Sequence, residues 1–202
     1  PKEGRLLEIS SAVLSGHEPA AAILAGLSED QKARVEKQDR ARDLYYQAMA
    51  KHNADEPGAE EIEEMIETWE RIVKFSDSHF PADYASANLG KLLVVRGEGL
   101  AAAGQMRRAV DDWTRAFKRD TESLVPGNKL VSYYMSIGDT AMARYWAMRS
   151  LERFPRDPMA LYALGVISLE SGKLEEAEAA LALAVKNSPN DPEFRFRYSL
   201  SL

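Results

Sequence analysis

The chain has 202 residues, of which 45% are hydrophobic and 29% charged, a composition typical of one soluble globular domain or one array of helical repeats. A net charge of −6 and a pI near 5.2 argue against nucleic acid as the main partner, and the lack of any long apolar run argues against membrane insertion. Because the sequence contains no cysteine, disulfides, thiolate catalysis and cysteine-ligated zinc are excluded.

The N-terminal segment, 1–58, is predicted to be a helical extension. Residues 3–15 carry apolar side chains at helical spacing, and the alanine-rich stretch 20–27 follows after a break. Ser28 then starts a longer helix, because a serine followed three residues later by a glutamine forms a capping box. We expect this helix to run to about His52, with a strongly charged first half and a second half that is the part able to pack.

A broad apolar stripe predicts the next helix at 59–76. Its glutamates alternate with the stripe, so we interpret them as the solvated side of an amphipathic helix rather than as a general acid/base pair. Part of the stripe recurs 44 residues later, which indicates a divergent repeat with about ten extra residues, placed in 77–90. The following helix starts near Ala82 and either runs to Ala103 or breaks near Gly97. The stripe consists of Ile62, Met65, Ile66, Trp69, Ile72 and Val73.

A period of 34 residues orders the second half of the chain. Glycine recurs at this interval, and alanine recurs five residues after each glycine. Glycine most easily adopts the left-handed conformation that ends a helix, and alanine lets a second helix approach the first closely. The period therefore predicts stacked helix-turn-helix units, since one such unit cannot bury its apolar stripe alone. The recurring positions are Gly104, Gly138 and Gly172, then Ala109, Ala143 and Ala177, and finally Pro155, Asp157 and Pro158 with Pro189, Asp191 and Pro192.

These residues resemble the tetratricopeptide repeat, and the resemblance covers about half of the chain. It implies an all-α fold, a right-handed α-solenoid of antiparallel helix pairs with a divergent N-terminal helical extension. The sequence departs from the family pattern at Val131, where a small residue is preferred, and at Thr121, where proline is preferred. The implied repeats are 90–123, 124–157 and 158–191, preceded by a divergent helix pair or connection at 59–89 and followed by a truncated or capping helix at 192–202.

The C-terminal helix has apolar side chains on two faces. Phe194 and Tyr198 occupy positions that would face a second helix of the same repeat, and Phe196 and Leu200 lie on the groove side. Since exposed apolar clusters mark interfaces, we expect this end to be covered by a second copy of the chain, a further repeat or a bound partner. A homo-oligomer formed through this helix is therefore one of the options.

First helices of the family line a concave groove that holds peptides or helices of partner proteins. Carried over by position, the resemblance implies a groove that is apolar with a polar midpoint, although each position has packing between first helices as its alternative. Some family members clamp a carboxylate with Lys and Asn; here Asn128 is the one polar candidate, so we expect no clamp. The implied groove residues are Val94, Glu98, Asn128, Ser132, Met135, Tyr162, Val166, Leu169, Phe196 and Leu200.

No cofactor, nucleotide or metal ion is predicted to bind. Gly97-x-Gly99-x-x-Ala102 after the apolar run 91–95 imitates a dinucleotide fingerprint. That site requires a second parallel strand, however, and 105–119 carries a helical stripe instead. The histidines are isolated in sequence, with no metal-ligand spacing between them. They are His17, His52 and His79.

Each tryptophan has two interpretations, packing in the core or stacking on a ligand. Trp69 and Trp113 fall on the stripes inside their repeats and are predicted to pack in the core. Trp146 lies one position off its stripe, so both interpretations remain open there.

Charge is distributed unevenly along the chain. Residues 29–70 contain 13 acidic and 6 basic side chains, whereas residues 91–160 contain 12 basic and 8 acidic ones. The simpler interpretation is that these are solvated helix faces. The alternative is a dipolar solenoid that steers a charged partner.

The sequence does not predict an enzyme, because it has neither a nucleophile-elbow serine nor a helical His-Glu-x-x-His motif. The favoured hypothesis is an interaction scaffold that binds a peptide or helix of a partner protein, in a bacterial cytoplasm or periplasm. The alternative is a regulatory or oligomerisation segment of a larger enzyme or of a secretion or assembly protein.

Overall fold

The computed structural model describes residues 25–52, 57–76 and 79–202. These residues form helices and no strand, so the predicted all-α fold is confirmed. The predicted helix at 3–15 and most of that at 20–27 lie outside the described residues. In chain order the described helices are α1 (Glu29–His52), α2 (Ala59–Phe75), α3 (His79–Ala102), α4 (Met106–Arg119), α5 (Val125–Ser136), α6 (Thr140–Arg153), α7 (Pro158–Glu170), α8 (Leu174–Asn187) and α9 (Pro192–Ser199).

The chain divides into two compact units, of which the first, Pro1–Leu92, is built on the packing of α1 against α2. The predicted capping box starts α1. The Ser28 nitrogen donates to Gln31 Oε1 at 2.9 Å, and the Gln31 nitrogen donates to Ser28 Oγ at 3.3 Å. The predicted apolar stripe of α2 is buried, except that its two ends, Ile62 and Val73, are half-buried.

The first half of α1 also packs, although only its second half was predicted to do so. Val35 of the first half is buried, as are Ala41 and Ala48 of the second half. Arg42 is buried as well, with its guanidinium 4.0 Å from Asp39 Oδ1. Long basic side chains can bury their aliphatic stems while the charged group keeps a polar partner. The density of charge in the first half, where Val35 is buried, therefore did not exclude packing.

α3 is one continuous helix through Gly97, so the alternative of a break near that residue is wrong. It starts at His79 rather than near Ala82, and its 24 residues compare with 12 in α5 and 13 in α7. The extra residues assigned to 77–90 thus belong mainly to a longer first helix. The strand that a dinucleotide fingerprint needs is also ruled out here, because the apolar run and both glycines lie inside α3.

The second unit, Leu93–Leu202, contains three identical turns at the predicted glycines. Gly104, Gly138 and Gly172 have φ values of 76°, 72° and 73°, the left-handed region that favours glycine. At the first turn, the nitrogen of Gln105 donates to Leu100 O at 2.8 Å, and that of Gly104 donates to Ala101 O at 3.0 Å. The same bond pair closes the other two turns. Each is a Schellman motif, which satisfies carbonyls that the ending helix leaves unpaired.

The start of a first helix is fixed by an aspartate followed by proline. Asp157 Oδ1 accepts hydrogen bonds from the nitrogens of Met159 and Ala160, at 3.1 and 3.4 Å. Asp191, 34 residues later, accepts the equivalent bonds from Glu193 and Phe194, at 3.0 and 3.1 Å. Aspartate is a favoured N-cap residue, and proline fits the first helical position because the nitrogen there has no helical partner.

Small residues bring the paired helices together as predicted. Ala109, Ala143 and Ala177 have no exposed surface. A Cβ added at Gly97 would lie 2.5 Å from Trp113 Nε1, and one at Gly165 would lie 2.5 Å from Leu181 Cγ. Both glycines are therefore needed for the close contact of a first helix with the second helix of its pair.

Tryptophan packing follows the predicted stripes. Trp69 and Trp113 are buried, at 0% and 5% exposure. Trp146, whose role the sequence left open, is 7% exposed and meets the Phe117 ring edge to face at 5.4 Å. It is therefore a core residue. Among the described residues, no helix combines the length and apolar character that crossing a membrane requires.

Candidate partner-binding groove

The candidate groove residues lie on the first helices of the second unit, which follow one another side by side. Lys129 Nζ of α5 lies 2.6 Å from Glu98 Oε1 of α3. α5 packs against α7, and the Tyr162 hydroxyl of α7 donates to Glu193 Oε1 of α9 at 3.1 Å. These contacts make a row of first helices, and we call the surface carried by its ten candidate residues the groove row.

Members of the groove row differ in exposure. Glu98, Ser132, Phe196 and Leu200 are exposed, and Val166 is buried. The half-buried members are Val94, Asn128, Met135, Tyr162 and Leu169. Only the exposed and half-buried members offer side-chain surface to a ligand.

Three apolar members belong to one buried cluster or border it. Val166 is 3% exposed and belongs to a buried cluster with Ala177 and Leu181. Met135 and Leu169 are half-buried against the same cluster. Val166 thus packs against the second helix of its own pair rather than between first helices, and the groove roles of Met135 and Leu169 stay predictions.

Asn128, the polar midpoint of the groove row, is hydrogen-bonded within the protein. With its amide nitrogen turned towards Asp157, Asn128 donates to Oδ2 at 2.9 Å and to Oδ1 at 3.2 Å. Asp157 is 1% exposed, and burial raises the pKa of its carboxyl against the opposing effect of the bonds from Ala160, Met159 and Asn128. Asn128 therefore supports the cap of α7, and the expectation that no carboxylate clamp is present stays a prediction.

Tyr162 is held by α9 in two ways. Its ring stacks on Phe194 with centroids 4.7 Å apart, and its hydroxyl donates to Glu193. Arg197 Nε donates to the same Glu193 oxygen at 2.9 Å. Burial, together with the neighbouring Glu193, raises the pKa of the Tyr162 hydroxyl, whereas the bond from Arg197 lowers the pKa of Glu193. The tyrosine is thus neutral and oriented at physiological pH.

The exposed apolar face of α9 differs from the predicted one. Phe194 is 5% exposed and packs with Leu161 and Ala184, and Tyr198 is half-buried against the cluster of Val166. Phe194 and Tyr198 are therefore packed within the chain, whereas the expectation that a second copy, a further repeat or a partner covers this end stays a prediction. α9 docks on the preceding α7–α8 pair through this side, because each unit must stack on its neighbour to bury its stripe.

Phe196 and Leu200 remain as the outward apolar pair of the groove row, at 55% and 51% exposure. Sequence reasoning missed the two contacts that order this row, Lys129 with Glu98 and Tyr162 with Glu193. A signal for the second existed, since Tyr162 lies in the first helix of one unit and Glu193 in that of the next.

Metal and cofactor chemistry finds no support in the described residues. They contain no group of three His, Asp or Glu side chains that could hold a metal ion. The side chains of all three histidines lie outside the described set. The expectation that no metal or nucleotide binds stays a prediction.

Comparison with known proteins identifies the repeat. A family model described as tetratricopeptide repeat matches residues 146–179, which run from the second half of α6 through α7 into α8. No curated protein sequence is similar enough to the chain to count as a match.

Several solved structures are similar to the chain. The first tetratricopeptide repeat domain of Spaghetti (RPAP3), bound to an HSP90 peptide, is 19% identical over 57% of this chain and 91% of its own, with a TM-score of 0.50. MamA protein is 17% identical over 82% of this chain and 81% of its own, with a TM-score of 0.47. YrrB, described as having an unusual peptide-binding site, is 16% identical over 70% and 68%, with a TM-score of 0.45. Residues 146–179 thus match the tetratricopeptide repeat model, and the chain shares the all-α helical-repeat fold of the first tetratricopeptide repeat domain of Spaghetti (RPAP3).

Proposed function

We propose that the chain is a non-enzymatic scaffold whose groove row binds a peptide or helix of a partner protein. The observation that carries this proposal is the pair Phe196 and Leu200. Phe196 lies on the first helix α9 and Leu200 is its C-cap residue one turn later, and each is about half exposed. Large apolar side chains so exposed are typical anchor points for an apolar or amphipathic segment.

The polar part of the groove row supports the same function. The exposed ion pair of Glu98 with Lys129 and the exposed hydroxyl of Ser132 present both charges and a neutral group to a bound backbone or side chain. The structure of Spaghetti (RPAP3), which shares this fold, holds an HSP90 peptide. This similarity supports a peptide as the class of ligand for this chain. Which peptide binds depends on the chain's own groove residues.

The test is a selection of displayed random peptides against the intact chain, followed by affinity measurement on the variant Phe196→Ser with Leu200→Ser. We expect the selected peptides to carry apolar side chains at i and i+4 and to bind the variant at least about tenfold more weakly. The matched control is Leu183→Ser on α8, because Leu183 is 48% exposed but lies on a second helix. Peptides that bind all three proteins equally would contradict the proposed site.

We also propose how the chain is divided into segments. We keep the repeats 90–123, 124–157 and 158–191, the divergent segment 59–89, and the extension 1–58 as the proposed division of the chain. A role as the regulatory or oligomerisation segment of a larger enzyme, or of a secretion or assembly protein, is the alternative. It differs from the scaffold in requiring that the apolar pair on α9 contacts a neighbouring domain or a second copy of the chain.

A further inference from the structure

Helix α4, all of whose residues are described, carries a strongly basic outer face. Five bases lie on its solvent side, and one acid, Asp111, lies among them. The other acid of the helix, Asp112, is buried; it accepts two bonds of 2.7 Å from Arg96 and lies 3.6 Å from Arg115, so the bases of α4 still outnumber its acids on the outer face. The five bases are Arg107, Arg108, Arg115, Lys118 and Arg119.

Helix α6 lies beside α4 and carries further residues of interest. The two helices are neighbours, because the Arg153 guanidinium lies 4.0 Å from the centroid of the Phe117 ring. α6 adds Arg144, and Tyr145 and Met148 are 50% and 53% exposed on it. We call the bases of α4, with Arg144, Tyr145 and Met148, the basic wall. Arginine, tyrosine and methionine are residue types enriched at protein interfaces.

The basic wall is indented rather than flat. A depression of about 520 Å³ on it is lined by four cationic side chains, together with Thr114 and the two aspartates of α4. The four are Arg96, Arg108, Arg115 and Lys118. Cations around a concave surface focus a positive potential, which attracts negatively charged side chains.

A surface of opposite charge lies in the first unit, on α2. This helix carries six glutamates against two bases, and both bases are near its C-terminal end. Its buried stripe leaves the glutamates on the outside, where Lys51 neutralises Glu64 at 2.7 Å and Glu60 and Glu67 are exposed. We call these side chains the acidic face; they are Glu60, Glu61, Glu63, Glu64, Glu67 and Glu70.

We propose that the acidic face of one copy of this chain docks on the basic wall of a second copy. The two surfaces match in length: at about 1.5 Å per residue, the acidic face spans about 15 Å and the bases of α4 about 18 Å. They match in sign, and each copy carries both. The contact is therefore head to tail, which leads to a closed ring or to a growing chain of copies.

The number of facing charges determines how the ion pairs affect the strength, rate and register of this contact. Single exposed ion pairs stabilise little, whereas several charges facing several opposite charges accelerate association and select the register of the contact. Tyr145 and Met148 supply apolar area beside the charges. The association must weaken with salt, because the screening length falls to about 8 Å at physiological ionic strength.

The experiment is sedimentation velocity of the intact chain over a range of concentrations, at about 20 mM and about 0.5 M salt. We expect concentration-dependent oligomers at low salt and monomer at high salt. Arg107→Glu with Lys118→Glu should weaken self-association by about tenfold or more, and Glu60→Lys with Glu67→Lys should do the same. Mixing these two variants should restore association between them, because the reversed charges are complementary again.

The control is Lys186→Glu, since Lys186 is an exposed lysine in the last turn of the second helix α8, as Lys118 is in that of α4. It should leave the association unchanged, and circular dichroism should show every variant folded. A chain that is monomeric at every concentration in low salt would overturn the proposal, and so would a contact within one chain, which gives the same monomer. Oligomers that survive the charge reversals but are lost in Phe196→Ser with Leu200→Ser would assign the contact to α9 instead.

Discussion

Gly97 and Gly99 are two residues apart in α3, yet their surroundings differ completely. The backbone at Gly97 is in contact with the indole of Trp113, whereas a Cβ at Gly99 would have no atom within 4 Å. Helix propensity alone treats both glycines as equally unfavourable. Only the packing of the partner helix separates a glycine that the contact requires from one that it does not.

We therefore expect opposite effects of the same substitution at these two positions. Gly97→Ala should lower the free energy of unfolding by about 1–2 kcal/mol, because the clash with the rigid indole outweighs the gain in helix propensity. Gly99→Ala should raise it by about 0.5–1 kcal/mol, since the methyl group points into open space. Urea denaturation measures both, and equal changes would show that the contact with Trp113 is not close.

Asp157 predicts a pH dependence. Burial raises the pKa of its carboxyl above the ordinary value of 3.8. The folded state then holds the proton more tightly than the unfolded state, so this contribution to stability is fully present below pH 3.8 and is lost as the pH rises through the raised pKa. Asp157→Asn keeps a capping oxygen but does not titrate.

The unfolding free energy of the wild type relative to Asp157→Asn should accordingly fall as the pH is raised from about 3 to about 7. Denaturation at several pH values gives this difference directly. If the difference between the two proteins stayed constant over that range, the carboxyl would have the same pKa in the folded and unfolded states.

Within a second helix, a substitution should change stability far more on the buried face than on the exposed face. Ala177 has no exposed surface in the contact of α8 with α7, whereas Ala179, two residues further along α8, is exposed. Ala177→Glu should cost about 3 kcal/mol or more, because the carboxylate would be buried without a partner. Ala179→Glu should change stability by less than about 0.5 kcal/mol. Thermal melts compare the two, and a parent-like melt for Ala177→Glu would mean that the helix register is wrong.

The terminal helix α9 gives a second comparison within one element. Phe194→Ala should remove about 3 kcal/mol of stability and reduce the helicity of α9, because it empties the contact with Leu161 and Ala184. Phe196→Ala should leave the melt within experimental error, since more than half of that ring is exposed. Circular dichroism with thermal denaturation separates the two outcomes. Equal losses would show that both rings are buried.

The periodic elements could be predicted from the sequence because local chemistry determines them. The turns at Gly104, Gly138 and Gly172 and the caps at Asp157 and Asp191 need particular residue types, and those types recur every 34 positions. The start of α3 could not be predicted, because it lies where the period is interrupted. Likewise, both sides of α9 are apolar, so only the neighbouring α7–α8 pair decides which side is buried.

Less of the candidate site could be predicted than of the fold. Position in the repeat identified the first helices, but it did not show that Asn128 is engaged by Asp157 or that Val166 is buried. Such contacts depend on which side chains surround a residue in the folded chain. Its position within the repeat does not specify those side chains.

For the whole molecule, the prediction is that neither zinc nor a dinucleotide binds with micromolar affinity. Both glycines of the apparent fingerprint lie within α3, and the described residues hold no group of metal ligands. Titration calorimetry of the intact chain with each compound should give only heats of dilution. A saturable heat with zinc would instead point to ligands among the residues outside the described set.

The Asp-Pro junctions at 157–158 and 191–192 have a consequence for how the length of this protein can change. Removing residues 158–191 would join Asp157 directly to Pro192, and this junction has the same two residues as both natural ones. The same aspartate would then cap the next helix and the same proline would start it, so the shortened chain needs no new connecting loop. Insertion of another copy of the segment would equally recreate the junction at both ends. Genes that duplicate or lose whole units of this kind can therefore change the reach of the array without first inventing a connection.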